Sequence, residues 1–365
     1  MATQRGASSN PADRFTGREI ELDLEALAAA ARAAGDAAIP APRTRFLEDH
    51  SRSIVSTNDS PDLPFDASVN PYRGCEHGCS YCYARPTHEY LGLSAGLDFE
   101  TVILVKREAP SLLRAELMKP SWQPRLLALS GVTDCYQPVE RALRLTRGCL
   151  EVLAEFRNPV GIVTKNALVT RDVDVLARLA EYDAVQVFLS LTTLDADLAG
   201  VLEPRASRPA ARLAAIAELA RAGIAVGVLV APVIPGLTDH EMPAIVAAAK
   251  EAGATMASWQ LLRLPHGVKQ LFDEWLAVHR PLQREKVLHR LRELRGGALN
   301  DAKFGTRFRG QGEWARQLEQ LFALAVRRAG LHGPGAAQRG AGVSTAAFRR
   351  PGPLQGRLFD GAPPA

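Results

Sequence analysis

The stretch Asn70-Pro71-Tyr72-Arg73-Gly74-Cys75-Glu76-His77-Gly78-Cys79-Ser80-Tyr81-Cys82-Tyr83 decides the reading of this chain. It gathers Cys75, Cys79 and Cys82 within eight residues, spaced four and then three apart. Thiolates are soft ligands that suit iron–sulfur clusters or zinc. Three ligands so close together come from one tight loop, and Gly74 and Gly78 allow the positive φ angles such a loop needs. Three sulfurs for four irons leave one iron open, and an open coordination position is what a catalytic metal site keeps. The competing reading is a structural zinc site of these three cysteines with His77 or His88. Zinc sites usually pair two well-separated ligand pairs, a pattern this spacing fits poorly.

Outward from the loop, short apolar runs alternate with helix-period stretches. The runs are 66–69, 126–130, 160–164, 185–191, 224–230 and 256–262, and 102–105 is an extra short strand or the lead-in to a helix. The helical stretches are 139–156, 173–181, 208–221 and 241–251. Six strands alternating with helices imply parallel pairing with right-handed crossovers. Six units are fewer than the eight of a closed barrel, and periodicity alone does not separate an open barrel from a doubly wound sheet.

The expected organisation has four parts. Residues 1–64 form an irregular N-terminal extension with one helical stretch at 22–34. Residues 65–265 form the core, residues 266–330 a C-terminal helical extension with amphipathic helices at 268–295 and 312–330, and residues 331–365 a disordered tail rich in Gly, Pro, Ala and Arg. Five cysteines, three of them clustered, argue against a disulfide framework. No run of 18 uncharged apolar residues appears and the N-terminus lacks a secretory apolar core, so a cytoplasmic protein with no membrane span is expected. Net charge is +4, yet residues 281–365 hold 15 Lys+Arg against 6 Asp+Glu. A basic C-terminal part suits DNA or RNA. Against that, only 7 of the 44 basic residues are Lys, and an Arg- and Ala-rich chain also follows from biased codon usage.

The Cys-x3-Cys-x2-Cys spacing with aromatic Tyr81 before the last cysteine resembles the radical S-adenosylmethionine (radical SAM) superfamily. The Tyr-Cys-Tyr run and the downstream segments resemble its spore photolyase branch, and Arg5-Gly6-Ala7 with residues 304–310 resembles a bacterial subgroup of that branch. The resemblance implies an α/β fold, an incomplete (β/α)6 TIM-like barrel. It also implies a 4Fe-4S cluster on Cys75, Cys79 and Cys82, with S-adenosyl-L-methionine as cofactor and an electron donor such as flavodoxin or ferredoxin. Tyr81 is then expected near the adenine. Ser130, Thr133 and Asp134, after the second strand, are expected at the methionyl ammonium, although Thr133 or Asp134 also suits helix capping. Lys165 and Ser190 are expected at the cofactor carboxylate or ribose, with Thr192 beside them. Glu203 and Arg205 are expected to bind cofactor, substrate or each other, and Val233 belongs to an apolar adenine-contacting turn. The branch points to a nucleic acid or modified base as substrate; the alternatives are a radical enzyme acting on a peptide, tRNA or small molecule, or a metal-stabilised binding protein with no turnover.

Two features stand apart. Cys135 follows Asp134, so it is a candidate hydrogen-atom donor to a substrate radical, whereas Cys149 falls on the apolar face of a helix. Gln355, Leu358 and Phe359 near the C-terminus resemble a short sliding-clamp-binding peptide.

Overall fold

The computed structural model describes residues 5–15, 43–333 and 343–352, so the expected helix at 22–34 lies outside the described residues. Four short strands come first: β1 (Arg45–Glu48), β2 (Val55–Thr57), β3 (Ala67–Val69) and β4 (Tyr72–Arg73). Then follow β5 (Val102–Val105), α1 (Ala109–Met118), β6 (Leu127–Leu129), α2 (Leu145–Phe156), β7 (Val160–Thr164) and α3 (Val173–Ala180). The remaining core elements are β8 (Val185–Leu191), α4 (Pro209–Arg221), β9 (Val226–Val233), α5 (Met242–Glu251) and β10 (Met256–Leu261). Helices α6 (Val268–His279), α7 (Pro281–Leu294) and α8 (Gly312–Ala329) are the last among the described residues.

Strands β3, β6, β7, β8, β9 and β10 pair in parallel in that spatial order, and β2 joins the β3 edge antiparallel. The order never reverses, as it must in a doubly wound sheet. The winding is therefore that of a barrel, left open because β10 and β2 do not pair. All seven residues of β8 are buried, since both faces of the sheet are covered. Val185, Val187, Leu189 and Leu191 join the main core with Leu179 and Ile216 from the helices, while Phe188 packs with Met256, Val163 and Leu229 on the other face. β5 belongs to a separate small sheet, parallel to β1 and antiparallel to β4.

The exposed edge of β10 is covered by the C-terminal extension. The amides of Ala257 and Leu261 donate to the carbonyls of His332 (2.9 Å) and Phe308 (2.8 Å). An open edge would otherwise offer unpaired backbone groups to another strand. Arg307 reaches across the barrel's open side to Asp62 (2.7 Å) on the N-terminal extension.

Four expectations need correction. The N-terminal extension is not merely irregular, because β1 and β2 each pair with the body of the fold. The stretch 139–156 is not one helix: Arg144 adopts φ 54° between Glu140–Leu143 and α2. The Glu140 carboxylate accepts the Thr146 amide at 3.0 Å and so restarts the helix. The stretch 268–295 breaks at Pro281, which opens α7 where its missing N–H costs nothing. Finally, residues 343–352 are not a disordered tail. Phe348 packs 6.3 Å from the Phe156 ring, and Arg349 N donates to Phe156 O at 2.9 Å.

Candidate active site

The cysteine loop leaves the C-terminal end of β3 by way of β4, at the end of the sheet where α/β folds place their sites. Gly74 (φ 82°) and Gly78 (φ 67°) make its turns. A Cβ on Gly74 would meet the His88 ring at 2.8 Å, so bulk is excluded there as well as strain. The loop is pinned through its backbone. Cys75 N donates to Phe99 O (2.9 Å), Ser80 N to Leu202 O (3.0 Å) and Glu76 N to Gln137 Oε1 (2.9 Å). Arg85, fully buried, donates from Nε and Nη2 to Cys79 O and meets Glu100 at 2.5 Å. The Glu100 carboxylate in turn accepts the amides of Gly6 (3.0 Å) and Ala7 (2.8 Å). Residues 5–15 therefore strap the loop from behind, and a Cβ on Gly6 would meet Gly78 O at 1.5 Å.

All five cysteines are free, with Cys75 and Cys79 buried and Cys82 partly buried. Burial pushes the thiols of Cys75, Cys79 and Cys82 upward; Asp134 adds to this at Cys75 and Glu203 at Cys79. Neutral thiols are thus favoured in the loop as it stands, and binding a metal group must release their protons. Among the described residues no three His, Cys, Asp or Glu side chains form a group that holds a single metal ion. Ser80 Oγ, inside the loop, is buried without a hydrogen-bond partner.

The other expected residues converge on the mouth of the sheet, but their partners differ from expectation. Lys165 Nζ donates to Ser190 Oγ (2.7 Å) and Ala231 O (2.8 Å), and lies 3.4 Å from Glu203 Oε1 and 5.8 Å from the Tyr81 ring centre. Tyr81 hydroxyl contacts Glu203 and sits 3.1 Å from Thr192 Oγ1, which is itself 2.6 Å from Glu203. Glu203 pairs not with Arg205 but with buried Arg212; Arg205 pairs with Glu76 at 3.0 Å. Burial alone would raise the Glu203 carboxyl. Arg212 and Lys165, with hydrogen bonds from Thr192 and Tyr81, outweigh it and hold the group well below the usual carboxylate range.

Asp134 accepts from Thr164 Oγ1 (2.8 Å), Lys165 N (2.8 Å) and Tyr136 N (2.9 Å), and its Oδ2 lies 3.3 Å from His77 Nδ1. It ties β7 to the cysteine loop, and its bond to Tyr136 N closes a local turn; neither it nor Thr133 caps the helix Glu140–Leu143, which follows Val139 with no side-chain cap. Burial would raise its carboxyl, and His77 with these hydrogen bonds lowers it. Thr133 donates to Tyr72 O (3.1 Å), and Ser130 Oγ accepts Cys135 N (2.8 Å). Val233 is buried at the end of β9, where its carbonyl accepts Leu262 N.

Cys135 is fully buried in the main core with Tyr136 and Cys149.

Sequence reasoning weighed His77 only as a zinc ligand and missed Glu76, Arg85, Glu100, Arg212 and Arg263. All but Arg263 are buried charges and polar groups, whose partners the fold supplies. Arg263, just beyond β10, lies 5.4 Å from the Tyr83 ring and 5.1 Å from the Phe308 ring, and its Nε has no hydrogen-bond partner. Its place two residues past a strand end was the one signal in the sequence.

Residues 69–249 match the family model described as the Radical SAM superfamily. Uncharacterised proteins of Mycobacterium tuberculosis and Mycobacterium bovis are 40% identical over 234 residues, covering 64% of this chain and 68% of each relative. A protein of Methanocaldococcus jannaschii is 29% identical over 173 residues, covering 47% of this chain and 62% of that protein. Among solved structures, spore photoproduct lyase complexed with dinucleoside spore photoproduct aligns at TM-score 0.58 and 15% identity, covering 79% of this chain and 81% of that one. A mutant of the same lyase with bound AdoMet and dinucleoside spore photoproduct gives TM-score 0.58 at 16% identity, covering 79% and 80%. At that identity the likeness concerns the fold.

Proposed function

Because this chain belongs to the radical SAM superfamily and is a radical SAM enzyme, we propose that Cys75, Cys79 and Cys82 hold three irons of a 4Fe-4S cluster at the mouth of the open barrel. The observation that carries this reading is the placement of three free thiols on one glycine-turned loop at the C-terminal end of a parallel sheet. In a cluster each thiolate takes a different iron, and three cysteines leave the fourth iron an open position. The unpartnered Ser80 hydroxyl gives the loop a spare hydrogen bond for such a group.

When bound, the cluster and S-adenosyl-L-methionine supply an electron and a carbon–sulfur bond whose cleavage yields a 5′-deoxyadenosyl radical. The protein's part is binding, orientation and exclusion of water. Lys165 presents a cation beside the hydroxyls of Ser190 and Thr192, which suits the cofactor carboxylate. Asp134 and Glu203 keep negative charge at the same mouth, complementary to an ammonium. Tyr81, Ser130, Thr133 and the turn after Val233 supply the remaining walls. Arg205 braces the loop through Glu76, a supporting place rather than a cofactor contact.

The substrate we propose is a nucleic acid or a modified base. Arg263 supports it: a half-buried guanidinium, 5.4 Å from the Tyr83 ring centre and 5.1 Å from that of Phe308, offers positive charge to a phosphate beside the loop. Arg307, over Phe304 and Phe308, extends the same rim.

The test is anaerobic preparation and reduction. About four irons per chain and conversion of S-adenosyl-L-methionine to 5′-deoxyadenosine are expected, both lost when Cys75, Cys79 or Cys82 is replaced by Ala. Stoichiometric zinc without iron would overturn the reading. Lys165→Ala should keep its iron while cofactor affinity drops about tenfold or more, the loss of a charge-assisted hydrogen bond.

A further inference from the structure

Inside the open barrel, on the face of the sheet away from the helices, lies a cavity of about 310 Å³. It begins at Ser130, at the C-terminal end of β6, and runs inward to Gln186, the second residue of β8. Its walls are largely apolar, with Phe65, Phe188 and Phe308 among them. Asp62 and Arg309 reach its outer side, but Asp62 is paired with Arg307, and Arg309 donates to Trp259 O at 2.9 Å. Asp62 is thus neutralised by its partner, whereas Arg309, hydrogen-bonded to a neutral carbonyl, keeps its positive charge at the outer side.

Gln186 does not fit this apolar surface. It is 4% exposed, and its Oε1 is buried without a hydrogen-bond partner. A buried carboxamide left unsatisfied costs on the order of 1–3 kcal/mol, so such a group calls for an explanation. Gly161 on β7 leaves room beside it: a Cβ there would lie 3.5 Å from Gln186 Nε2. A carboxamide presents an acceptor and a donor side by side, so it pairs with any ring edge that carries a neighbouring N–H and C=O or ring nitrogen.

We propose that this cavity is a ligand subsite for a neutral, planar ring with such an amide or imide edge, a nucleobase, and that Gln186 is the residue that reads it. The proposal rests on the reading of the barrel mouth as a reaction centre for nucleic-acid chemistry, and names where the base goes. Aromatic walls supply faces for the ring, and the apolar inner part of the cavity disfavours a phosphate, which stays at the outer side with Arg309 and Arg263. The volume lies at the low end for small-molecule pockets, so a base within a strand must leave its stack to enter.

The experiment is equilibrium binding to the anaerobic, cluster-loaded protein. The probes are uridine, adenosine, N3-methyluridine and single-stranded oligonucleotides carrying the same bases, each titrated against wild type, Gln186→Leu and Gln186→Glu. Wild type should bind at least one free nucleoside or its oligonucleotide, and Gln186→Leu should weaken it roughly tenfold or more. If uridine is the ligand, N3-methyluridine should lose a similar factor. Toluene should bind Gln186→Leu at least as well as wild type, which shows that the variant's cavity is intact. Gln186-dependent binding of the free nucleoside makes a metabolite the source, and binding of the oligonucleotide alone makes a strand the source. No Gln186-dependent binding of either overturns the subsite. The radical reading is judged separately, by 5′-deoxyadenosine formation in wild type without added substrate.

Discussion

Glu203 shows how much a single buried carboxylate organises at this mouth. It receives Arg212, Lys165, Thr192 and Tyr81, four side chains from four separate segments. Removing one partner of a buried pair leaves the other charge uncompensated, so Arg212→Met should destabilise the protein by about 3–5 kcal/mol in denaturant unfolding. The pH dependence follows from the sign of the shift. The folded carboxyl sits below its unfolded value of 4.5, so its contribution is complete above that pH and is lost as the pH falls below it. Melting temperatures of wild type and Glu203→Gln should therefore differ by a constant amount near neutrality and converge in acid. Cys135 belongs to the same scale. Its sulfur is enclosed in the core, so Cys135→Ala should leave the product profile unchanged, as Cys149→Ala should; a stalled turnover in the Cys135 variant alone would show it to be a hydrogen donor.

At the scale of elements, the N-terminal strap and the C-terminal segment hold parts that the barrel itself does not. Residues 5–15 clamp the back of the cysteine loop through Glu100 and the close Gly6–Gly78 approach. Gly6→Ala must push the strap away, and overpacking of this kind costs about 1–3 kcal/mol. Its expected signature is lower iron retention on anaerobic gel filtration with little change in the melting of the barrel. Phe348, half-buried against Phe156, should contribute about 1–2 kcal/mol, roughly half the value for a fully buried phenylalanine. Phe348→Ala should lower the unfolding midpoint by that amount and leave cofactor cleavage intact.

For the whole molecule, the barrel is open, and its open side is spanned by the Asp62–Arg307 pair and by the chain that covers β10. No described helix is long and apolar enough to cross a membrane. The clamp-like peptide at Gln355, Leu358 and Phe359 lies outside the described residues. It begins only three residues after the last described one, beyond a segment anchored to the barrel. We propose that it engages a sliding clamp. A labelled 350–365 peptide should bind purified bacterial clamp, and a Leu358→Ala, Phe359→Ala double variant should not; equal or absent binding by both removes the idea.

The sequence by itself determined the cysteine loop and the six parallel strands, because metal-ligand spacing and apolar periodicity are local properties of the chain; the open barrel was implied by the family resemblance, since periodicity fits a doubly wound sheet equally well. Strands 160–164 and 185–191 match the observed β7 and β8 to the residue. Lys165, Ser190 and Thr192, singled out by the family resemblance, lie together at the C-terminal ends of β7 and β8. What the tertiary structure alone decided is who meets whom. Glu203 chose Arg212 over neighbouring Arg205, Cys135 turned into the core, Glu140 restarted α2, and residues 343–352 docked on Phe156. Gln186 reads in the sequence as an ordinary polar residue within an apolar strand; only the closed sheet makes it a buried, unpartnered group facing a cavity. Burial and pairing are properties of segments brought together from afar, and no local pattern encodes the partner that the other segment will supply.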